Sequence, residues 1–83
     1  MTRPQLIMRM KDENIQRIQQ LAVLTGKMIA KQTYPHVIRE REALEITAHL
    51  LWDMIRGEEP VAEVFGSAYA TGYLEQVSKL DAQ

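Results

Sequence analysis

Hydrophobic and polar positions divide the chain into four pieces. In Gln5-Leu-Ile-Met-Arg-Met-Lys11, Leu6, Met8 and Met10 alternate with Gln5, Ile7, Arg9 and Lys11. A period of two sends successive side chains to opposite faces, so this piece predicts a short β-strand with one buried face. Pro4 stands just before it, where a strand edge tolerates proline. From Asp12 to about Thr25, Ile15, Ile18, Leu21 and Ala22 recur at helical spacing and predict an amphipathic helix. Asp12 and Glu13 suit its N-terminus, where free backbone N–H groups and the helix dipole favour acid. Gly26 is the residue type that commonly follows a helix C-terminus.

The third piece ends near Arg56, and its start has two readings. Proline inside a helix removes a hydrogen bond and clashes with the preceding turn, at roughly 3 kcal/mol, yet it is favoured at the first helical position. Either a long helix runs from Pro35 to Arg56 after a separate turn over 28–34, or one helix starts near Met28 and kinks at Pro35. Val37, Leu44, Ala48, Leu51 and Ile55 form its apolar stripe, with Arg41 at the missing step and Ile38, Leu50, Trp52 and Met54 widening it. The fourth piece follows Gly57-Glu-Glu-Pro60, a stop-and-restart signal, and predicts a helix near 60–80. Val61, Val64, Phe65, Ala68, Gly72, Val77 and Leu80 mark its apolar face. Gly66 and Gly72 weaken this helix by about 1 kcal/mol each relative to alanine, and glycine also permits close helix packing. Trp52, Phe65, Tyr69 and Tyr73 read as core or interface residues.

At 83 residues the chain is one folding unit at most, divided here into a region 1–57 and a helical extension 58–83. A single chain of this size is marginally stable, and with no cysteine it has no disulfide to compensate. Oligomerisation is the common remaining way to enlarge a core, so a homodimer or higher even oligomer is expected. No apolar run reaches the ~18–20 residues of a membrane span, and no signal-peptide pattern follows Met1, so a cytoplasmic protein is expected. The net charge of −1 conceals an asymmetry: residues 1–41 hold eight basic against three acidic residues, +5, and residues 42–83 hold two against eight, −6. A basic half of this kind matches an anionic partner, or else two solvated faces simply differ in sign.

No catalytic constellation appears. Ser67 and Ser78 lie in no nucleophile motif, and His36 and His49 are too far apart to share a metal. The glycines form no phosphate-binding loop. A non-enzyme without metal or cofactor is the expectation.

Taken together, the alternating strand, the capped helix and Gly26 resemble the ribbon-helix-helix family of DNA-binding proteins. Pro4-Gln-Leu-Ile-Met-Arg-Met-Lys-Asp-Glu through Leu21-Ala-Val-Leu-Thr-Gly26 is similar to the Arc-type repressors, with Pro4, Gln5, Arg9, Glu13, Ala22 and Gly26 on matching residue types. Leu24-Thr-Gly26 is also similar to a turn in plasmid antitoxins. The resemblance implies a mostly α fold with one short N-terminal β-strand, a ribbon-helix-helix dimer with an added C-terminal helix. Two strands would pair antiparallel and enter the major groove of double-stranded DNA. Gln5, Ile7 and Arg9 would then face base edges. Leu6, Met8 and Met10 would face the dimer core, with Leu44, Leu51 and Ile55 also in it. Arg3, Lys11 and Lys27 would lie at phosphates, and the backbone of Met28 and Ile29 would bind a phosphate at a helix N-terminus. Here Lys27-Met-Ile-Ala-Lys31 departs from the Ser, Thr or Asn usual there. The implied function is a sequence-specific transcriptional repressor, autoregulatory or antitoxin-like, with a protein partner at residues 58–83. The competing function is a small helical protein that binds and modulates another protein, as an inhibitor or assembly factor.

Overall fold

The computed structural model describes residues 12–55 and 59–83. These form three helices: α1 (Asp12–Thr33), α2 (Arg41–Ile55) and α3 (Glu59–Asp81). The protein is mostly helical, and no strand occurs among the described residues. The strand expected at Gln5–Lys11 lies outside them.

The start of α1 at Asp12 follows the sequence expectation, but its end does not. Gly26 does not terminate the helix, which continues for seven more residues to Thr33. Glycine costs helical stability only if nothing repays it, and here its missing side chain is used for packing. A β-carbon at Gly26 would lie 2.9 Å from the amide nitrogen of Tyr73 in α3, and closer still to the carbonyl oxygen of Tyr69. Gly72 does the reciprocal job: a β-carbon there would meet the Cα of Val23 at 2.8 Å. The two backbones thus approach more closely than any side chain would allow. Ala22, Gly26 and Ala30, at intervals of four, form the face of α1 that lies on α3, and all three are buried.

α1 and α3 run parallel, since Val23 meets Gly72, Lys27 meets Glu75 and Tyr34 meets Asp81. α2 runs antiparallel to the first half of α3: Arg41 reaches Thr71, Glu45 lies over Gly66, and Trp52 packs on Phe65. The backbones of α1 and α2 do not approach each other. α3 is therefore the shared spine, and it is buried around much of its circumference: Val61, Ala62, Phe65, Gly66, Tyr69, Ala70, Gly72, Tyr73 and Val77. Along it, Trp52, Phe65, Tyr69 and Tyr73 form an aromatic ladder with ring centroids 5.1, 6.2 and 6.0 Å apart. The expectation that these aromatics are core residues holds.

Between α1 and α2, residues 34–40 wrap across α3. The chain leaves α1 at Tyr34-Pro35, whose peptide bond is cis. The Ile38 amide donates to the Tyr73 hydroxyl at 3.0 Å, and Val37 packs against the core. The carbonyl of Glu40 then accepts the first helical bond, from the Leu44 amide. Both readings of Pro35 are thus corrected: it neither opens nor kinks a helix, and α2 begins six residues later. Of the residues expected in a dimer core, Leu44 is fully buried within one chain, and Leu51 is half-buried against the same core.

Gly26→Ala and Gly72→Ala are expected to destabilise the fold by about 1–3 kcal/mol each, because backbone must move to admit a methyl. Gly66→Ala meets nothing nearer than the Glu45 carbonyl oxygen at 3.4 Å and gains helix propensity, so it should be neutral or stabilising by up to about 1 kcal/mol. Urea unfolding of the three variants checks the contrast.

Candidate interaction surfaces

With α1 and α2 each packed on α3 and not on one another, the three helices cannot cover both sides of every helix. With Ala22, Gly26 and Ala30 turned to α3, the larger residues of α1 face outward. Leu21, Leu24 and Met28 are 57, 64 and 54% exposed. They continue at both ends into Arg17 and Lys31, so the outward residues 17, 21, 24, 28 and 31 follow intervals of four, three, four and three. This is the spacing of a coiled-coil seam. Leu21, expected in the buried stripe, is therefore outside, while Ala22 is buried and Ile18 packs against the core. Between Asn14 and Thr33, α1 carries Arg17, Lys27 and Lys31 and no acid.

A second outward row lies on α2: Ile46, Leu50 and Met54, 60, 62 and 84% exposed. Ile46 and Leu50 form one wall of a groove of about 680 Å³ between α2 and α3. Its floor is small, Ala62 and Gly66, and its rim carries Glu42, Glu45 and Glu63 with His49. Among the described residues no Lys or Arg lines it.

The basic and acidic halves of the chain meet inside the fold. Lys27 pairs with Glu75 at 3.7 Å, Arg39 with Asp81 at 2.7 Å, and Arg41 with Glu45 at 3.2 Å. Arg41 also donates to the Ser67 carbonyl at 3.1 Å and the Thr71 hydroxyl at 2.9 Å, lacing α2 to α3. The charge asymmetry is thus used in part to hold the protein's own helices together. At the far end, the Tyr34 hydroxyl and the Arg39 guanidinium both donate to Asp81. Those bonds, from Arg39 first and Tyr34 second, hold the Asp81 carboxyl below its ordinary range. The Tyr34 hydroxyl is raised, chiefly because its proton is held by Asp81.

Of the residues expected at DNA, Arg3, Gln5, Ile7, Arg9 and Lys11 lie outside the described residues, as do Leu6, Met8 and Met10 of the expected dimer core; the side chain of Ile55 is likewise not described. Lys27, Met28 and Ile29 sit in the middle of α1, not at a helix N-terminus. Their N–H groups belong to the helix ladder and not to the first turn, where a phosphate is bound. Among the described residues no group of three or more His, Asp or Glu is placed to hold a metal ion, and no helix is long and apolar enough to cross a membrane. Set against family models, curated proteins and solved structures, the chain matches none.

The Asp81 clasp gives a signed pH dependence. A depressed carboxyl contributes stability that is present above the ordinary aspartate value, about 3.9, and is lost as pH falls through the lower folded value. An NMR titration of the Asp81 carboxyl should show a midpoint below that ordinary value, and Arg39→Ala should raise it. The same midpoint in both proteins would rule out the clasp.

Proposed function

We propose that this chain is a non-enzymatic helical interaction protein, which works by docking the outward apolar rows of α1 and α2 against protein. The observation that carries this reading is the pair of rows themselves. Six large apolar side chains stand more than half exposed in two ordered lines, not scattered singly. Contiguous exposed apolar surface of this kind marks interaction sites in soluble proteins. The spacing on α1 suits a helix partner, in which side chains of one helix fill gaps on the other. A role in assembling or modulating another protein follows from this surface.

A second reading, a DNA-binding regulator acting through the ribbon of residues 5–11, is favoured by one observation. α1 begins at Asp12, directly after the alternating segment, and carries only basic charge from Asn14 to Thr33. In that reading Gln5, Ile7 and Arg9 read bases while Arg3 and Lys11 contact phosphate.

Photo-crosslinking separates the two. A benzophenone side chain placed at Leu24 or Leu50 in the full chain, in cells that produce it, should give protein adducts of discrete mass; one placed at exposed Gln16, about a quarter turn from the α1 row, should give much less. No protein adduct at either row contradicts the docking reading. If the DNA reading is right, the chain binds mixed-sequence duplex with steep salt dependence, and Arg9→Ala weakens a preferred site by roughly 1–3 kcal/mol, whereas Lys11→Ala weakens all sequences alike.

A further inference from the structure

We propose that the occupant of the α2–α3 groove is the α1 seam of a second copy of this chain, docked reciprocally to give a closed twofold dimer. This rests on the docking reading above and names the partner of the same surface. The argument is charge and shape together. The α1 seam is an apolar centre, Leu21, Leu24 and Met28, with Arg17 at one end and Lys31 at the other. The α2 face is an apolar centre, Ile46 and Leu50, with Glu42 at one end and Asp53 at the other, and with Glu63 across the groove on α3. Arg17 and Lys31 are fourteen positions apart, about 21 Å along the helix, and Glu42 and Asp53 are eleven apart, about 17 Å. The longer span belongs to the longer side chains, so both basic ends reach both acidic ends with the apolar centres in register.

The same charges exclude the simpler dimers. Pairing α1 with α1 sets basic ends against basic ends in either orientation. Pairing α2 with α2 sets acidic ends against acidic ends. Only the cross-pairing of α1 with α2 opposes unlike charges, and like charges juxtaposed across an interface are strongly unfavourable. One seam is also a small interface. A twofold axis uses it twice, because α1 of each copy meets the groove of the other. That doubling moves the buried area toward what a specific dimer requires.

The test uses two full-length variants. Arg17→Glu with Lys31→Glu makes both surfaces acidic. Glu42→Lys with Asp53→Lys makes the ends of both surfaces basic. All four positions are exposed, so helix content by circular dichroism should match the wild type. In sedimentation at tens of micromolar, the wild type should be a dimer. Each variant alone should be weakened by roughly 100-fold or more and sediment as a monomer. An equimolar mixture restores unlike charges at both seams and should sediment as a heterodimer. A monomeric wild type overturns the proposal, as do variants that remain dimeric or a mixture that remains monomeric. If the wild type is monomeric while Leu50 crosslinks to a different protein in cells, the dimer fails and the docking reading stands. If crosslinking fails at both rows, both fall together. If the variants lose helix content, Leu24→Ser and Leu50→Ser take their place. Each leaves charge unchanged, and both must yield a monomer; a dimer in either overturns the proposal.

Discussion

Everything else in this protein depends on how closely α1 approaches α3. Gly26 and Gly72 remove the two β-carbons that would hold the backbones apart. Once that contact forms, one face of α1 is fixed inward, the face of Ala22, Gly26 and Ala30. These are the smallest side chains in the helix, so the inward face spends little of the chain's apolar volume. The larger Leu21, Leu24 and Met28 are left on the opposite side. The exposed seam is thus a geometric consequence of a small-residue packing face. α3 receives its bulk from the other direction, through the aromatic ladder that Trp52 completes from α2.

The segment between the helices and the ionic contacts then follow from that placement. With α1 parallel to α3, residue 33 ends near the close of α3 and the chain must return across the spine to start α2 antiparallel. Residues 34–40 make that return, tied by the Ile38 amide to Tyr73 and by Tyr34 and Arg39 to Asp81. Exposed ion pairs of this sort contribute little individually. Their role here is to fix the direction of a non-helical crossing in which Val37 packs against the core and Ile38 stays exposed. Arg41 does the same at the next step, reaching the Ser67 carbonyl and the Thr71 hydroxyl from the first turn of α2.

Much of this was legible in the pattern of residues. The start of α1, the body of α2, the helix near 60–80 and the core role of the aromatics all follow from spacing. The expectation that glycine permits close packing was right for Gly72, and it applied to Gly26 as well. Taking Gly26 as a terminator failed because a glycine at a helix end and a glycine at a helix crossing look alike in one dimension; the crossing is set by Tyr69 and Tyr73, more than forty residues away. Arg41 broke the apolar stripe for a related reason, since its partners lie on α3. The exposed rows had a weaker signal that could have been used: residues 17, 21, 24, 28 and 31 keep the three-four rhythm on the face opposite the alanines.

The central claim, that α1 is one uninterrupted helix pressed on α3 through its glycine and alanines, is tested most directly by native-state amide hydrogen exchange read residue by residue. The account predicts that the amides from Gly26 to Ala30 are protected as strongly as that of Ala22, because they lie in the same unbroken helix ladder. Rapid exchange at Gly26 to Ile29 between two protected flanks would mean a turn at Gly26 and two separate helices, and would contradict it.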